Sequence, residues 1–167
     1  PDTVVFTYQG DGDLAAIGTA EIIHAANRGE NLTVIFVNNT VYGMTGGQMA
    51  PTTMIGQKTS TSPYGRKAET EGYPLKITDL IATLPGAAYV TRTSLATPKK
   101  ILETKRAIKK AFEVQMAGLG YSLVEVLSPC PTNWKVTPKE SFAYLEEIME
   151  KEYPIGVMKD LTAKKEG

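Results

Sequence analysis

Two apolar, β-branched runs with one helix-length segment between them leave this chain few ways to fold. Val4 to Tyr8 reads as a short buried strand, and Leu32 to Val37 is the clearest strand in the sequence. Between them, the turn-rich Gln9-Gly10-Asp11-Gly12-Asp13 gives way to a helix from about Leu14 to Asn27 that stops near Gly29. The periodicity places Ala16, Ala20 and Ile23 of that helix on one face. Strand, loop, helix and strand at this spacing require a parallel pair with a right-handed crossover. The expected fold class is therefore α/β, a doubly wound and mostly parallel sheet.

From Asn38 to Tyr73 the periodicity disappears, and Gly, Thr, Ser and Pro dominate. A loop of that length in a compact domain is functional or disordered. Its few apolar residues predict that much of it is loosely held without a ligand or neighbour. Pattern returns with a short helix near Ile77–Thr83, a strand at Ala88–Arg92 and a long helix from about Pro98 to Met116 that ends at Gly118 and Gly120. A buried strand at Tyr121–Leu127, a loop at Ser128–Trp134, a helix from Pro138 to about Lys151 and a polar tail complete the chain. The long helix carries Lys99, Lys100, Glu103, Lys105, Arg106, Lys109 and Lys110, read as a solvated face. No repeat or linker divides the chain, so residues 1–167 read as one domain. Pro1-Asp2 leads straight into a strand, the opening expected of a domain that is incomplete at its N-terminal side.

Composition narrows the function. Eighteen basic residues balance eighteen acidic ones, which removes the electrostatic case for nucleic acid or an anionic membrane as partner. No apolar run has the length of a membrane span and the first residues do not resemble a signal peptide, so a cytoplasmic protein is expected. A single cysteine, Cys130, excludes an internal disulfide, and a single histidine, His24, leaves little for a His-rich metal site.

In a parallel sheet, ligands gather beyond the carboxyl ends of the strands. Gly10-Asp11-Gly12 follows the first strand and opens a helix, and Asn38-Asn39 follows the second, so both loops fall on one edge. A hard cation that shares its shell with phosphates needs about one carboxylate and a few neutral oxygens. Asp11 offers the carboxylate, Asn39 an amide oxygen, and the loop just beyond, near Val41, a backbone carbonyl. The glycines let backbone approach phosphate, and the helix N-terminus favours negative charge. Taken singly, Gly-Asp-Gly is an ordinary turn and Asn-Asn an ordinary loop start; together, enclosing one βαβ unit, they point to a site.

Gly10-Asp11-Gly12, twenty-five intervening residues (13–37) and Asn38-Asn39 resemble the thiamine diphosphate signature. The continuation Thr40-Val41-Tyr42-Gly43-Met44-Thr45-Gly46-Gly47-Gln48 is similar to the β subunits of 2-oxoacid:ferredoxin oxidoreductases, and within them to the 2-ketoisovalerate type. Thr61-Ser62-Pro63-Tyr64-Gly65-Arg66 and Ser128-Pro129-Cys130-Pro131-Thr132 extend the likeness. The resemblance implies the thiamine diphosphate-binding fold, with Mg2+ held by Asp11, Asn39 and the carbonyl of Val41. It places Gly10, Gly12 and Asp13 along the diphosphate, and Tyr42, Gly43, Met44 and Thr45 nearer the thiazolium. The implied reaction is oxidative decarboxylation of a branched-chain 2-oxoacid, with electrons passing through iron–sulfur clusters to ferredoxin and the acyl group to coenzyme A. The implied partner is an alpha subunit that carries the pyrimidine-side domain and the activating glutamate, making the enzyme a hetero-oligomer.

In that family a Cys-Pro-Gly-Cys-Gly-His segment would precede Pro1. Cys130 matches the late cysteine that completes a 4Fe-4S cluster in the intact subunit. The chain alone is expected to be inactive. Glu21 and Glu30 read as solvent-facing, His24 as a packing or helix-terminal residue without a catalytic role, and Trp134 and Tyr144 as packing residues. Arg66 and Lys67 suit an anionic ligand, a partner or a solvated loop equally. Two other functions fit the same residues: a non-oxidative thiamine diphosphate decarboxylase or carboligase subunit, and a non-catalytic Mg2+-dependent phosphate-binding module.

Overall fold

The computed structural model describes residues 3–162. Pro1-Asp2, on which the expectation of an incomplete start rests, and the end of the polar tail lie outside the described residues. In chain order the elements are β1 (Phe6–Gln9), α1 (Thr19–Arg28), β2 (Thr33–Asn38), β3 (Val41–Tyr42), β4 (Gln48–Met49), α2 (Ala68–Glu71) and α3 (Ile77–Ala82). They continue with β5 (Ala87–Ser94), α4 (Pro98–Met116), β6 (Tyr121–Leu127), α5 (Pro131–Trp134), α6 (Pro138–Tyr144), α7 (Glu150–Glu152) and β7 (Gly156–Asp160). A five-stranded sheet runs in the order β1-β2-β6-β5-β7, parallel throughout except for β7. β3 and β4 form a separate antiparallel hairpin.

Apolar periodicity sets the layers. On one face Val34, Phe36, Leu123 and Val90 pack against Ile22 and Ala26 of α1 and Ile77 and Ile81 of α3. On the other, Ile35, Val124 and Val126 meet Ala107, Ala111 and Val114 of α4. A third cluster of Met54, Leu127, Leu145, Met149 and Tyr153 closes the end of the sheet from which the site loops emerge. α4 and β6 have the bounds read from sequence. Thr97 caps α4 by accepting from Lys100 N at 3.3 Å, Pro98 supplies a preset φ at the first turn, and Gly118 follows the last.

Three expectations are corrected. The first strand is not buried: among the described residues β1 is an edge with β2 as its only neighbour, leaving Phe6 53% and Tyr8 70% exposed. The first helix buries Leu14, Ala15, Ile22 and Ala26, while Ala20 is exposed and Ala16 and Ile23 are only partly covered. The cause is a π turn at Asp13–Ile17, where Gly18 N donates to Asp13 O at 2.7 Å. The extra residue in that turn rotates the helix after it. A Cβ at Gly18 would lie 2.3 Å from that carbonyl, so the turn requires glycine. The polar tail contains β7, which adds antiparallel to β5 and is tied by Lys159 to Leu84 O and by Lys110 to Asp160. Its half-exposed edge position explains why no apolar alternation announced it.

The segment from Asn38 to Tyr73 is arranged around one side chain. Arg66 is only 5% exposed and directs its donors to backbone carbonyls. Nε donates to Gly72 O (2.8 Å), Nη1 to Thr53 O (2.6 Å), Pro51 O (2.9 Å) and Ala50 O (3.4 Å), and Nη2 to Glu71 O (3.0 Å) and Tyr73 O (2.9 Å). A rigid guanidinium fork can satisfy that many acceptors at once where an apolar side chain satisfies none. Arg66 thus faces neither a ligand nor solvent, and Lys67 beside it is exposed.

Candidate functional site

The sheet order puts β2 between β1 and β6, so the loops that leave these three strands are neighbours at one edge. They carry Asp11, Asn39 and Cys130. The β3–β4 hairpin folds over them and brings Tyr42 and Gly43 close.

Asp11 is 4% exposed. Its Oδ2 accepts from Thr52 Oγ1 at 2.7 Å and its Oδ1 from Asn39 N at 3.4 Å. Among the described residues no cationic side chain pairs with it. Burial pushes the carboxyl up from 3.8 to about 7; the Thr52 and Asn39 hydrogen bonds oppose the rise and the negative charge of Glu125 adds to it. Burial, with the charge of Asp11 behind it, also raises the Tyr42 hydroxyl above its ordinary value.

The Asn39 turn is pinned from several sides. Asn39 Oδ1 accepts from Val41 N at 3.3 Å, and its carbonyl accepts from Trp134 Nε1 at 3.1 Å and Thr40 Oγ1 at 2.7 Å. Thr40 has a positive φ of 63°. Its carbonyl accepts from Thr53 Oγ1 (2.6 Å) and its hydroxyl from Gln57 Nε2 (2.8 Å). Trp134 also packs on Tyr144, with ring centroids 4.5 Å apart, which agrees with the packing role read for both.

Glycines at the two ends of the site behave differently. A Cβ on Gly10 would come no nearer than 3.8 Å to Asp13 Oδ2, and one on Gly12 no nearer than 3.5 Å to the Tyr42 ring. Gly12 has ordinary helical φ and ψ of −71° and −38°. Neither glycine is demanded by the chain's own packing, since a Cβ at either would make only ordinary van der Waals contact. Gly47 is demanded: it has φ 76°, and a Cβ would lie 2.6 Å from Asn133 Oδ1.

Of the other residues singled out from sequence, Asp13 accepts from Gly10 N at 3.0 Å and tightens the first loop. Met44 and Thr45 are exposed at the hairpin tip, where Thr45 bonds to Gln48. Cys130 is a half-buried free thiol whose Sγ accepts from Asn133 Nδ2 at 3.2 Å; the same amide donates to Gly43 O at 3.3 Å. A Cβ on Gly43 would sit 3.6 Å from Cys130 Sγ and 3.7 Å from Asn39 Nδ2, so hairpin, cysteine and asparagine converge there. His24 and Glu21 are exposed, and Glu30 lies beyond α1 and pairs with Arg28 at 2.8 Å. Sequence reasoning missed Thr52, Asn133, Arg92 and Glu125. The last two had a signal: a charge inside each of two β-branched runs.

The donor set suits a hard cation. Among the described residues no group of three or more His, Cys, Asp or Glu side chains could hold a metal. One buried carboxylate that no described cationic side chain pairs with, beside amide and carbonyl oxygens, suits a cation that completes its shell with phosphate oxygens. A buried carboxylate without such a partner is costly to ionise.

Residues 1–126 match the family model described as thiamine pyrophosphate enzyme, C-terminal TPP binding domain. The chain belongs to that family. It is 54% identical over 165 residues to the ketoisovalerate oxidoreductase subunit VorA of Methanothermobacter thermautotrophicus, a match that covers 99% of this chain and 35% of that protein. It is also 42% identical over 147 residues to the 2-oxoglutarate synthase subunit KorB of Archaeoglobus fulgidus, covering 88% of this chain and 51% of that one. The chain thus spans a third to a half of the length of these relatives. Among solved structures it superposes, at TM-score 0.68 and 23% identity, on a 2-oxoglutarate:ferredoxin oxidoreductase from Magnetococcus marinus. That likeness covers 92% of this chain and 55% of the other, and is one of fold.

Proposed function

We propose that this chain is the diphosphate- and Mg2+-binding part of a subunit of a thiamine diphosphate-dependent 2-oxoacid:ferredoxin oxidoreductase. The observation that carries the reading is the Asp11 carboxylate, buried at the loop edge of a parallel sheet, beside Asn39, with no cationic side chain against it among the described residues. Asp11, Asn39 and the Val41 carbonyl hold the Mg2+; the backbone of Gly10 and Gly12, with Asp13 bracing their loop, lies along the diphosphate. Tyr42, Gly43, Met44 and Thr45, on the hairpin that folds over this edge, border the thiazolium. Thiamine diphosphate, when bound, supplies the nucleophilic carbon that attacks a keto carbon and the electron sink that permits loss of carbon dioxide.

The protein's part is to bind and orient. A cation beside Asp11 would stabilise its ionised form, and the Thr52 hydroxyl holds one carboxylate oxygen in place. Branched-chain 2-oxoacids are the preferred substrates, because Met44, Gly46 and Gly47 offer the hairpin no cation for a second carboxylate, which is costly to bury unpaired. The identity to a ketoisovalerate subunit supports that choice. An alpha subunit supplies the pyrimidine side, and ferredoxin and coenzyme A accept electrons and the acyl group. Cys130 contributes the late thiolate of a 4Fe-4S cluster whose other cysteines belong to another part of the intact subunit. A cytoplasmic site of action fits this chemistry, and no helix among the described residues is long and apolar enough to cross a membrane.

The test is Mg2+-dependent binding of thiamine diphosphate by the full-length protein, measured by calorimetry. Asp11→Ala abolishes it, whereas Asn39→Ala, which removes a neutral ligand that water can replace, weakens it less. Undiminished affinity in the Asp11 variant would refute the assignment, and equal affinity for a nucleotide would favour a general phosphate-binding module.

A further inference from the structure

We propose that the buried Arg92–Glu125 pair is a positioning device that sets Asp11 and Asn39 at one spacing for Mg2+ while touching neither metal nor cofactor. The inference rests on the reading of Asp11 and Asn39 as ligands.

Both residues are 1% exposed, in the middle of parallel strands. Stability does not explain them, because a buried ion pair recovers little more than its desolvation cost and apolar residues of similar size often do as well. Strand register puts them together. Glu125 stands opposite Arg92 on one side and Phe36 on the other, and Asn38, two residues beyond Phe36, shares that face. Glu125 Oε2 takes Arg92 Nε at 2.6 Å, and Oε1 takes Asn38 Nδ2 at 2.7 Å.

Two chains of contacts leave this pair and end on the two candidate ligands. In the first, the engaged Asn38 amide turns its Oδ1 to Thr40 N, which donates at 3.1 Å. That bond helps hold Thr40 in the left-handed region, a conformation that a β-branched residue adopts only when its surroundings impose it. Asn39, the residue between, is thereby fixed beside Asp11. In the second, the Arg92 guanidinium lies 5.3 Å from the centroid of the Tyr153 ring. The Tyr153 hydroxyl donates to Thr52 O at 2.6 Å, and the Thr52 hydroxyl donates to Asp11. The guanidinium is itself steadied by Asp79 at 2.5 Å and Pro154 O at 3.1 Å. Two loops that follow different strands therefore share one buried anchor.

The test measures the Mg2+ concentration that half-saturates thiamine diphosphate binding in the full-length protein, together with Tm. Asn38→Ala cuts the first chain and leaves the ion pair, so it carries the test even where Glu125→Leu does not fold. Glu125→Gln keeps an acceptor for Asn38 but sets an amide against Arg92. Val114→Ala, a cavity on the α4 face away from the site, serves as the destabilised control. The expected result is a rise of at least tenfold in the Mg2+ requirement for Asn38→Ala and Glu125→Gln, a larger one for folded Glu125→Leu, and none for Val114→Ala. An unchanged requirement in the Asn38 and Glu125 variants, or an equal rise in Val114→Ala, overturns the positioning role while leaving the ligands standing. Wild-type protein that binds no thiamine diphosphate with Mg2+ overturns the ligand reading and this inference together.

Discussion

Replacing Asp11 by asparagine makes the metal-free protein more stable at neutral pH and less stable in acid. The carboxyl titrates near 3.8 when exposed and near 7 in the fold. The unfolded chain therefore releases its proton from about pH 4, while the folded chain keeps it until about pH 7. Because the folded value is the higher one, the contribution to stability is complete below pH 4 and is lost as pH rises to 7. At about 1.4 kcal/mol per pH unit, that interval amounts to about 4 kcal/mol. In the Asp11→Asn variant the amide oxygen still accepts from Thr52, but the NH2 group meets Asn39 N, an acceptor loss of about 1 kcal/mol. The net gain is about 3 kcal/mol above pH 7, or about 6–12 °C in Tm for a chain of this size. Thermal unfolding of both proteins in chelator, from pH 4 to pH 8.5, reads this directly. The two Tm curves should cross near pH 4.5 and separate steadily until pH 7. Parallel curves would show that Asp11 is not held protonated by burial and would remove the argument that it awaits a cation. Saturating Mg2+ and thiamine diphosphate should raise the wild-type Tm at pH 8 and leave the Asp11→Asn value where it was.

Arg66→Ala, which strands a cluster of buried carbonyls, should cost about 3–5 kcal/mol, since charge-assisted bonds contribute about 1.5–3 kcal/mol each and water replaces only some. Denaturant unfolding checks it, and a loss below about 1 kcal/mol would mean that the segment around Arg66 is held by other contacts. In the full-length protein Cys130→Ser should lower iron content and ferredoxin reduction while thiamine diphosphate affinity is retained; a full cluster in the variant would leave Cys130 a packing residue. Steady-state comparison should give 2-oxoisovalerate a higher specificity constant than 2-oxoglutarate, with pyruvate used slowly because a missing methylene is worth about 1–3 kcal/mol in an apolar pocket. The reverse order for 2-oxoglutarate would show that a cation reaches the pocket from elsewhere.

How much of this the sequence disclosed depended on where the causes lay. α4 and β6 could be read to the residue because Thr97-Pro98 and Gly118-Gly120 punctuate them locally. The meeting of Asp11 and Asn39 was legible too, since the parallel-strand rule places loops on one edge whatever the side chains do. The exposure of β1 was not, because neighbours in a sheet are chosen by the whole chain; Val4 to Tyr8 looks the same at an edge as in a centre. Thr52 sits in a stretch with no periodicity, and nothing near it marks it as the partner of Asp11. The extra residue in the Asp13–Ile17 turn defeated a helical wheel that was otherwise sound.

Arg66 has a consequence for how the protein opens. One guanidinium joins residues 50–53 to residues 71–73 through their main-chain oxygens, so a motion that frees Arg66 releases both stretches together. Such a segment does not fray from one end; it comes away as a block. Amide hydrogen exchange across residues 50–73 should then report a shared opening free energy instead of a gradient. Because Thr52 and Thr53 belong to that block, each opening would also strip Asp11 and Thr40 of a hydroxyl, coupling the lifetime of the site to a single event some distance along the chain.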